Sequence, residues 1–239
     1  MRVPRRAEAE VLLANEVRWL PSLARTIALP VPVPLWFIER SDLVGGSFAI
    51  VRWCAGRPLD LVGSRLGAEG AGPLGEALLS LRAPAPEDAP VNPYRGVPLE
   101  QRDARVRAGL DLIPRRTADR LRARWTDALA APPWTGPGRW IHGDLHPGNL
   151  LVDGSDLTAI IDWGDLASGD PATDLSVAWT ACDASGRRRL REVVRPTDEE
   201  WTRAQGNALA HGVACVSVLR DDPRVRAIGW ATLAGLLES

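Results

Sequence analysis

The sequence predicts an α+β chain in which a small N-terminal piece, one helix and two short strands, precedes a larger helical piece holding a single β-hairpin. Three observations carry this. Apolar residues recur at helical spacing along most of the chain. Short apolar runs bounded by turn residues occur in two places, at 35–53 and 150–163. The 239 residues, 45% of them hydrophobic, suffice for one large domain or two small lobes with a real core.

From Ala7 to Thr26, Val11, Leu12, Leu13, Val17, Leu20 and Leu23 define the apolar side of a helix, which Pro30, Pro32 and Pro34 end. Leu35–Glu39 and Ser47–Trp53 read as two strands joined through Gly45-Gly46. Ala55-Gly56-Arg57-Pro58 breaks the pattern and marks a lobe boundary, giving a first unit of residues 1–55 and a second of 56–239. Helices are expected at Leu74–Leu81, 98–112 and 117–131, the last carrying Leu121, Trp125 and Leu129 at spacing four. Leu150–Val152 and Ala159–Trp163 flank Asp153-Gly154-Ser155-Asp156, a turn signal that makes them a hairpin. Asp170-Pro171 opens a helix through Thr180, Thr197-Asp198-Glu199-Glu200 is a capping box for another, and a last helix runs from Pro223 to Leu237.

The 29 basic and 30 acidic residues leave a net charge of −1, so nothing favours a nucleic-acid or membrane surface as partner. There is no lysine, so every basic residue is Arg and no step here can use a lysine amine. Cys54, Cys182 and Cys215 are distant from one another and lie in apolar surroundings, which suits reduced core thiols. Glu8 and Glu10 interrupt the place of a signal peptide's apolar region, and no run is long enough to span a membrane. The expected location is the cytoplasm. The ten Trp are scattered and read as core or interface anchors.

The chemistry is concentrated in HGDLHPGNLLV, His142 to Val152. Asp144 and Asn149 are four residues apart in the intervening count, and Asp162 ends the second hairpin strand in Ile161-Asp162-Trp163-Gly164. Phosphoryl transfer needs such a set: one carboxylate to orient an attacking hydroxyl, an amide oxygen and a second carboxylate to hold Mg²⁺ on nucleotide phosphates. A zinc hydrolase using His142, Asp144 and His146 lacks a further nitrogen or sulfur ligand, since the remaining histidine, His211, lies i, i+4 from Cys215 on an apolar helix face. A glycosidase pair of Asp144 and Asp162 lacks an aromatic platform for a sugar.

HGDLHPGNLLV, followed by IIDWGD and by Asp170-Pro171-Ala172-Thr173-Asp174-Leu175, resembles the aminoglycoside phosphotransferase family, small-molecule kinases with a two-lobed protein-kinase-like fold. NPYRG at Asn92–Gly96 and the Trp201 helix resemble members of that family too. The resemblance implies ATP or GTP and Mg²⁺ as cofactors and a hydroxyl of a small molecule, an antibiotic or a metabolite, as acceptor. It makes Asp144 the catalytic base, His142 a residue that shapes its loop, Asn149 and Asp162 the Mg²⁺ ligands, Asp174 a brace and His146 a support. It also makes Arg2 the cation usually supplied by Lys near the nucleotide, with Glu16 its partner. Met1–Pro4 would then end the cation-bearing strand, leaving the N-lobe partial and without the Gly-rich loop over the phosphates. The chain is therefore either the later part of a longer reading frame or a catalytically inactive kinase-like binding protein. In 183–205, Arg187, Arg188, Arg189, Arg191 and Arg195 offset the acids, a balance that does not favour a polycationic acceptor.

Overall fold

A computed structural model describes residues 1–4, 7–219 and 221–238. Helix α1 spans Ala7–Leu23 and buries Leu13, Glu16, Leu20 and Leu23, a spacing that aligns them in one stripe. Val11, expected on that face, points away from it and is exposed. Glu16 is thus a carboxyl group placed among apolar neighbours.

Strands β1, Pro34–Ser41, and β2, Gly46–Val51, form an antiparallel hairpin turning at Gly45, whose positive φ of 69° suits glycine. Arg2 pairs with Ala49 through both main-chain groups, at 2.8 and 3.0 Å, on the other edge of β2. The expected break at 55–58 contains a two-residue strand β3, Arg57–Pro58, and then a short helix α2, Leu59–Val62. Helix α3 spans Ala68–Ser80, starting well before the expected Leu74. A 3-10 turn at Leu99–Arg102 leads into α4, Asp103–Leu110, and α5 follows at Arg115–Ala130. Leu121 and Trp125 are buried on α5 as their spacing requires.

β4, Arg139–Ile141, precedes the hairpin of β5, Leu150–Asp153, and β6, Asp156–Ile160. β3 adds to that hairpin in the order β3-β5-β6, while β7, Ala167–Gly169, pairs antiparallel with β4. The helix expected from Asp170 is split into α6, Ala172–Leu175, and α7, Val177–Thr180. Asp170 accepts from Ala172 N at 3.0 Å as a cap would, and its carboxylate also holds Arg203 at 2.7 Å. Next come α8, Ala184–Val194, α9, Asp198–Ser217, and α10, Pro223–Glu238. The capping box of α9 is half formed. Thr197 accepts from Glu200 N at 3.2 Å, but the Glu200 carboxylate turns to Arg82 in a two-pronged pair.

The glycines of α3 explain its early start. Gly70, Gly72 and Gly75 are buried, and a Cβ on Gly75 would stand 2.8 Å from Val193 Cγ1 of α8. They serve close helix contact and not a loop. Most of the buried apolar side chains join one cluster running from Leu20 to Leu236, with Trp125, Trp163 and Trp179 fully enclosed. Among the described residues no helix is long and apolar enough to cross a membrane.

Candidate active site

The loop after β4 begins with Gly143, where φ is 85° and a Cβ would lie 2.6 Å from Asp165 O; only glycine fits there. Its shape is held from α6. Asp174, buried, accepts from His142 N at 2.6 Å and Gly143 N at 2.9 Å. Burial raises the Asp174 carboxyl above its ordinary value, opposed by His142 and by those two N–H donors. His142 is fully buried against Trp163. Its Nδ1 accepts from Asp144 N at 3.2 Å, so Nε2 carries the proton and donates to Ile161 O at 2.9 Å. With both ring nitrogens used, His142 has no lone pair for a metal. Among the described residues no group of three or more His, Cys, Asp and Glu side chains could hold a metal ion.

Asp144 faces Arg95, whose Nη2 lies 2.7 Å from its Oδ1, and His146, whose Nε2 lies 3.6 Å from its Oδ2. His146 Nδ1 accepts from Gly148 N, so its Nε2 is the protonated nitrogen facing Asp144. Burial alone would raise the Asp144 carboxyl, but His146 and the Arg95 guanidinium outweigh it and hold the group well below the usual carboxylate range. Arg95 also binds Asp165 at 2.9 Å, and Asn92 reaches Asp165 at 3.0 Å. Neither Arg95 nor Asp165 was singled out from the sequence by role, although both lie in stretches, NPYRG and IIDWGD, that carry the family resemblance. Proximity to Asp144 is the property that distinguishes them, and spacing does not encode it.

Asn149 closes the loop. Its Nδ2 donates to Asp144 O at 2.9 Å, which turns Oδ1 away as a free acceptor. The hairpin register then sets Asp162 beside it, since Ile161 N bonds to Asn149 O at 2.9 Å. Asp162 is 56% exposed at its side chain and adopts φ 61°, ψ 66°, an uncommon conformation for a residue with a Cβ. The Asn149 amide oxygen and the solvent-facing Asp162 carboxylate are hard oxygen donors of the kind a small divalent cation such as Mg²⁺ takes.

Arg2 and Glu16, which the family resemblance pairs, meet here. Arg2 Nη2 lies 3.2 Å from Glu16 Oε2 and 2.8 Å from Asp162 Oδ1. Burial pushes the Glu16 carboxyl up to about 7, with Arg2 lowering it and Asp162 raising it. Neither Glu16 oxygen has a hydrogen-bond partner of good geometry, so Arg2 is its sole compensation among the described residues.

Two cavities adjoin at Asp165. The first, about 530 Å³, is bounded by Arg2, Pro4, Leu13, Asp144, Asp162 and Asp165. The second, about 460 Å³, opens between the 93–106 segment and α9. His211 of α9 stacks on His146 with ring centroids 6.0 Å apart, and Cys215 Sγ lies 3.4 Å from His211 Nε2. Burial and the nearby His146 push His211 down to about 4, and burial pushes the Cys215 thiol up to about 11. Both stay neutral near pH 7, as packing residues do. The Arg-rich stretch 183–205 lines neither cavity, so its charge balance does not bear on what enters them.

The fold is that of phosphotransferases with the protein-kinase-like architecture. The model of the phosphotransferase enzyme family, APH, matches residues 1–209, and the chain belongs to that family. Its structure is similar to the GDP complex of aminoglycoside 2'-phosphotransferase-IIIa, with a TM-score of 0.68, 21% identity, and 99% of this chain and 85% of that one covered. It is similar also to macrolide 2'-phosphotransferase MphH of Brachybacterium faecium, with a TM-score of 0.58, 23% identity, and coverage of 97% and 83%. A curated relative, the uncharacterized protein YcbJ of Bacillus subtilis (strain 168), is 36% identical over 70 residues, 29% of this chain. That match spans 22% of YcbJ's length.

Proposed function

We propose that the protein is a kinase of a small-molecule hydroxyl, using a nucleoside triphosphate, ATP or GTP, with Mg²⁺. The observation that carries this is one cavity lined by Asp144, Asp162 and Arg2, with Asn149 bonded to the Asp144 carbonyl and, across the hairpin, to Ile161 beside Asp162. In this reading residues 1–55 form a lobe over the nucleotide and 56–239 the lobe bearing the catalytic loop. Asn149 and Asp162 would hold the metal, which when bound neutralises charge on the phosphates.

The remaining work falls to the chain's own groups. Asp144 accepts a hydrogen bond from the acceptor hydroxyl and aims its oxygen at the γ-phosphorus. As the oxygen–phosphorus bond forms, the bond to the leaving nucleoside diphosphate breaks and the hydroxyl proton passes to Asp144. A carboxylate held far below its ordinary pKa is a weak base, which suits a loose transition state that needs orientation more than early deprotonation. Asp174 and His142 keep the loop in shape, and Arg2 supplies fixed positive charge beside the phosphates.

Calorimetric titration of Mg-ATP and Mg-GTP into the chain tests this first. Saturable binding that disappears in Asp162→Ala supports the site; equal binding by both forms rules out Asp162 as a ligand. Asp144→Asn should bind nucleotide normally and lose turnover by about a hundredfold or more. A second reading, a kinase-like protein that binds without turnover, draws support from the Arg2–Asp162 contact of 2.8 Å, which occupies the oxygen a metal would need. Nucleoside diphosphate release with any acceptor excludes it.

A further inference from the structure

The second cavity has two unlike walls. Val106 of α4 and Ala210, Val213 and Ala214 of α9 make one apolar, while Arg95, Arg102 and Arg105 contribute to the other. Asp165 is the single carboxylate among its lining residues, and Arg95 and Asn92 already engage it. Arg95 is matched by two carboxylates, Asp144 and Asp165.

Arg102 and Arg105 have no such match. Among the described residues no ion pair involves either of them, and Arg102 Nη2 donates to the carbonyl of Tyr94 at 2.8 Å. Burial and repulsion from Arg95 and Arg105 push Arg102 down to about 10, so it remains charged at neutral pH in an unfavourable setting. A partly desolvated guanidinium facing charges of its own sign is costly until an anion enters.

Resting on the kinase reading, we infer that the acceptor is an anionic small molecule whose carboxylate or phosphate is held by Arg102 and Arg105 while its hydroxyl is presented to Asp144. Asp165 lines both cavities, and Arg95, which lines the second, is paired with Asp144, which lines the first. The apolar wall of α4 and α9 takes the carbon skeleton. A polycation such as an aminoglycoside would meet uncompensated charges of its own sign in the same space.

Calorimetry on the whole chain, with gluconate, inorganic phosphate and kanamycin as separate probes and Mg-ATP as a parallel arm, tests this. Gluconate or phosphate should bind saturably, and the double substitution Arg102→Gln with Arg105→Gln should weaken that binding about tenfold or more while leaving Mg-ATP binding unchanged. Arg105→Gln alone, at an exposed side chain, should weaken it by a smaller step and keeps the result independent of folding. Preference for gluconate assigns a carboxylate, and preference for phosphate a phosphoryl group. The inference is overturned by kanamycin binding that the substitutions leave intact, by anion binding insensitive to them, or by no binding of either anion. Anion binding without Mg-ATP binding overturns the kinase reading and leaves the anion site standing.

Discussion

Glu16 is a carboxyl group with no exposed surface, and its charge depends on Arg2. Its folded-state value of about 7 lies above the ordinary 4.5, so between those values the folded chain binds a proton that the unfolded chain has released. The stability from this group is therefore complete below pH 4.5 and lost as pH rises through 7, a change of about 3 kcal/mol. Glu16→Gln should flatten this part of the profile, measured as the difference in Tm between pH 5.5 and 8.5 against wild type; an unchanged slope would mean the carboxyl is ionised at both. Asp174→Asn makes the complementary case. It removes one acceptor from the His142 and Gly143 N–H pair, and should cost about 1–3 kcal/mol by urea unfolding and lower kcat more than it changes KM. Of these residues, Asp144, Asn149 and Asp162 are legible in the sequence because a loop and a hairpin bring them together locally. Arg95 is not, since it reaches Asp144 from 49 positions away and its contact exists only after folding.

At the scale of elements, α3 shows why local composition misleads. The helix is expected only from Leu74 yet begins at Ala68, in a stretch rich in glycine, a poor helix former when nothing packs on it. In the fold, Gly70, Gly72 and Gly75 are buried within α3: Gly72 and Gly75 face Arg189 and Val193 of α8, while Gly70 packs against Leu66 and the Ser155 carbonyl. Gly75→Ala should accordingly destabilise the chain by about 1–3 kcal/mol through the clash with Val193, with nucleotide binding unaffected. A stabilising result, as helix propensity alone demands, would show that α8 shifts freely. The split between α6 and α7 falls at Ser176, whose hydroxyl donates to Thr173 O at 2.6 Å. The hairpin of β5 and β6, by contrast, follows from its own turn residues and was readable directly.

The whole molecule is tied across its length by contacts between distant segments. Arg2 pairs with Asp162, 160 positions on, and its main chain joins β2. The main apolar cluster includes Leu20 and Leu29 near one end and Leu236 near the other. Urea unfolding followed by Trp fluorescence and by far-ultraviolet circular dichroism should therefore give coincident single transitions. Two separated transitions would show that the N-terminal elements unfold independently of the helical body.

The HGDLHPGNLLV loop, the hairpin that ends at Asp162 and the family are legible in the chain alone, because each rests on residues close together whose turns and strands form locally. Only the packed chain shows that Arg95 pairs with Asp144, that the Glu16 carboxyl, whose pairing with Arg2 the resemblance already implied, is fully buried, and that Arg102 and Arg105 line the second cavity with no ion pair of their own among the described residues. Those are statements about charge in a shared low-dielectric space, and which charges share it depends on how α1, α4 and α9 pack, not on how far apart they lie in sequence.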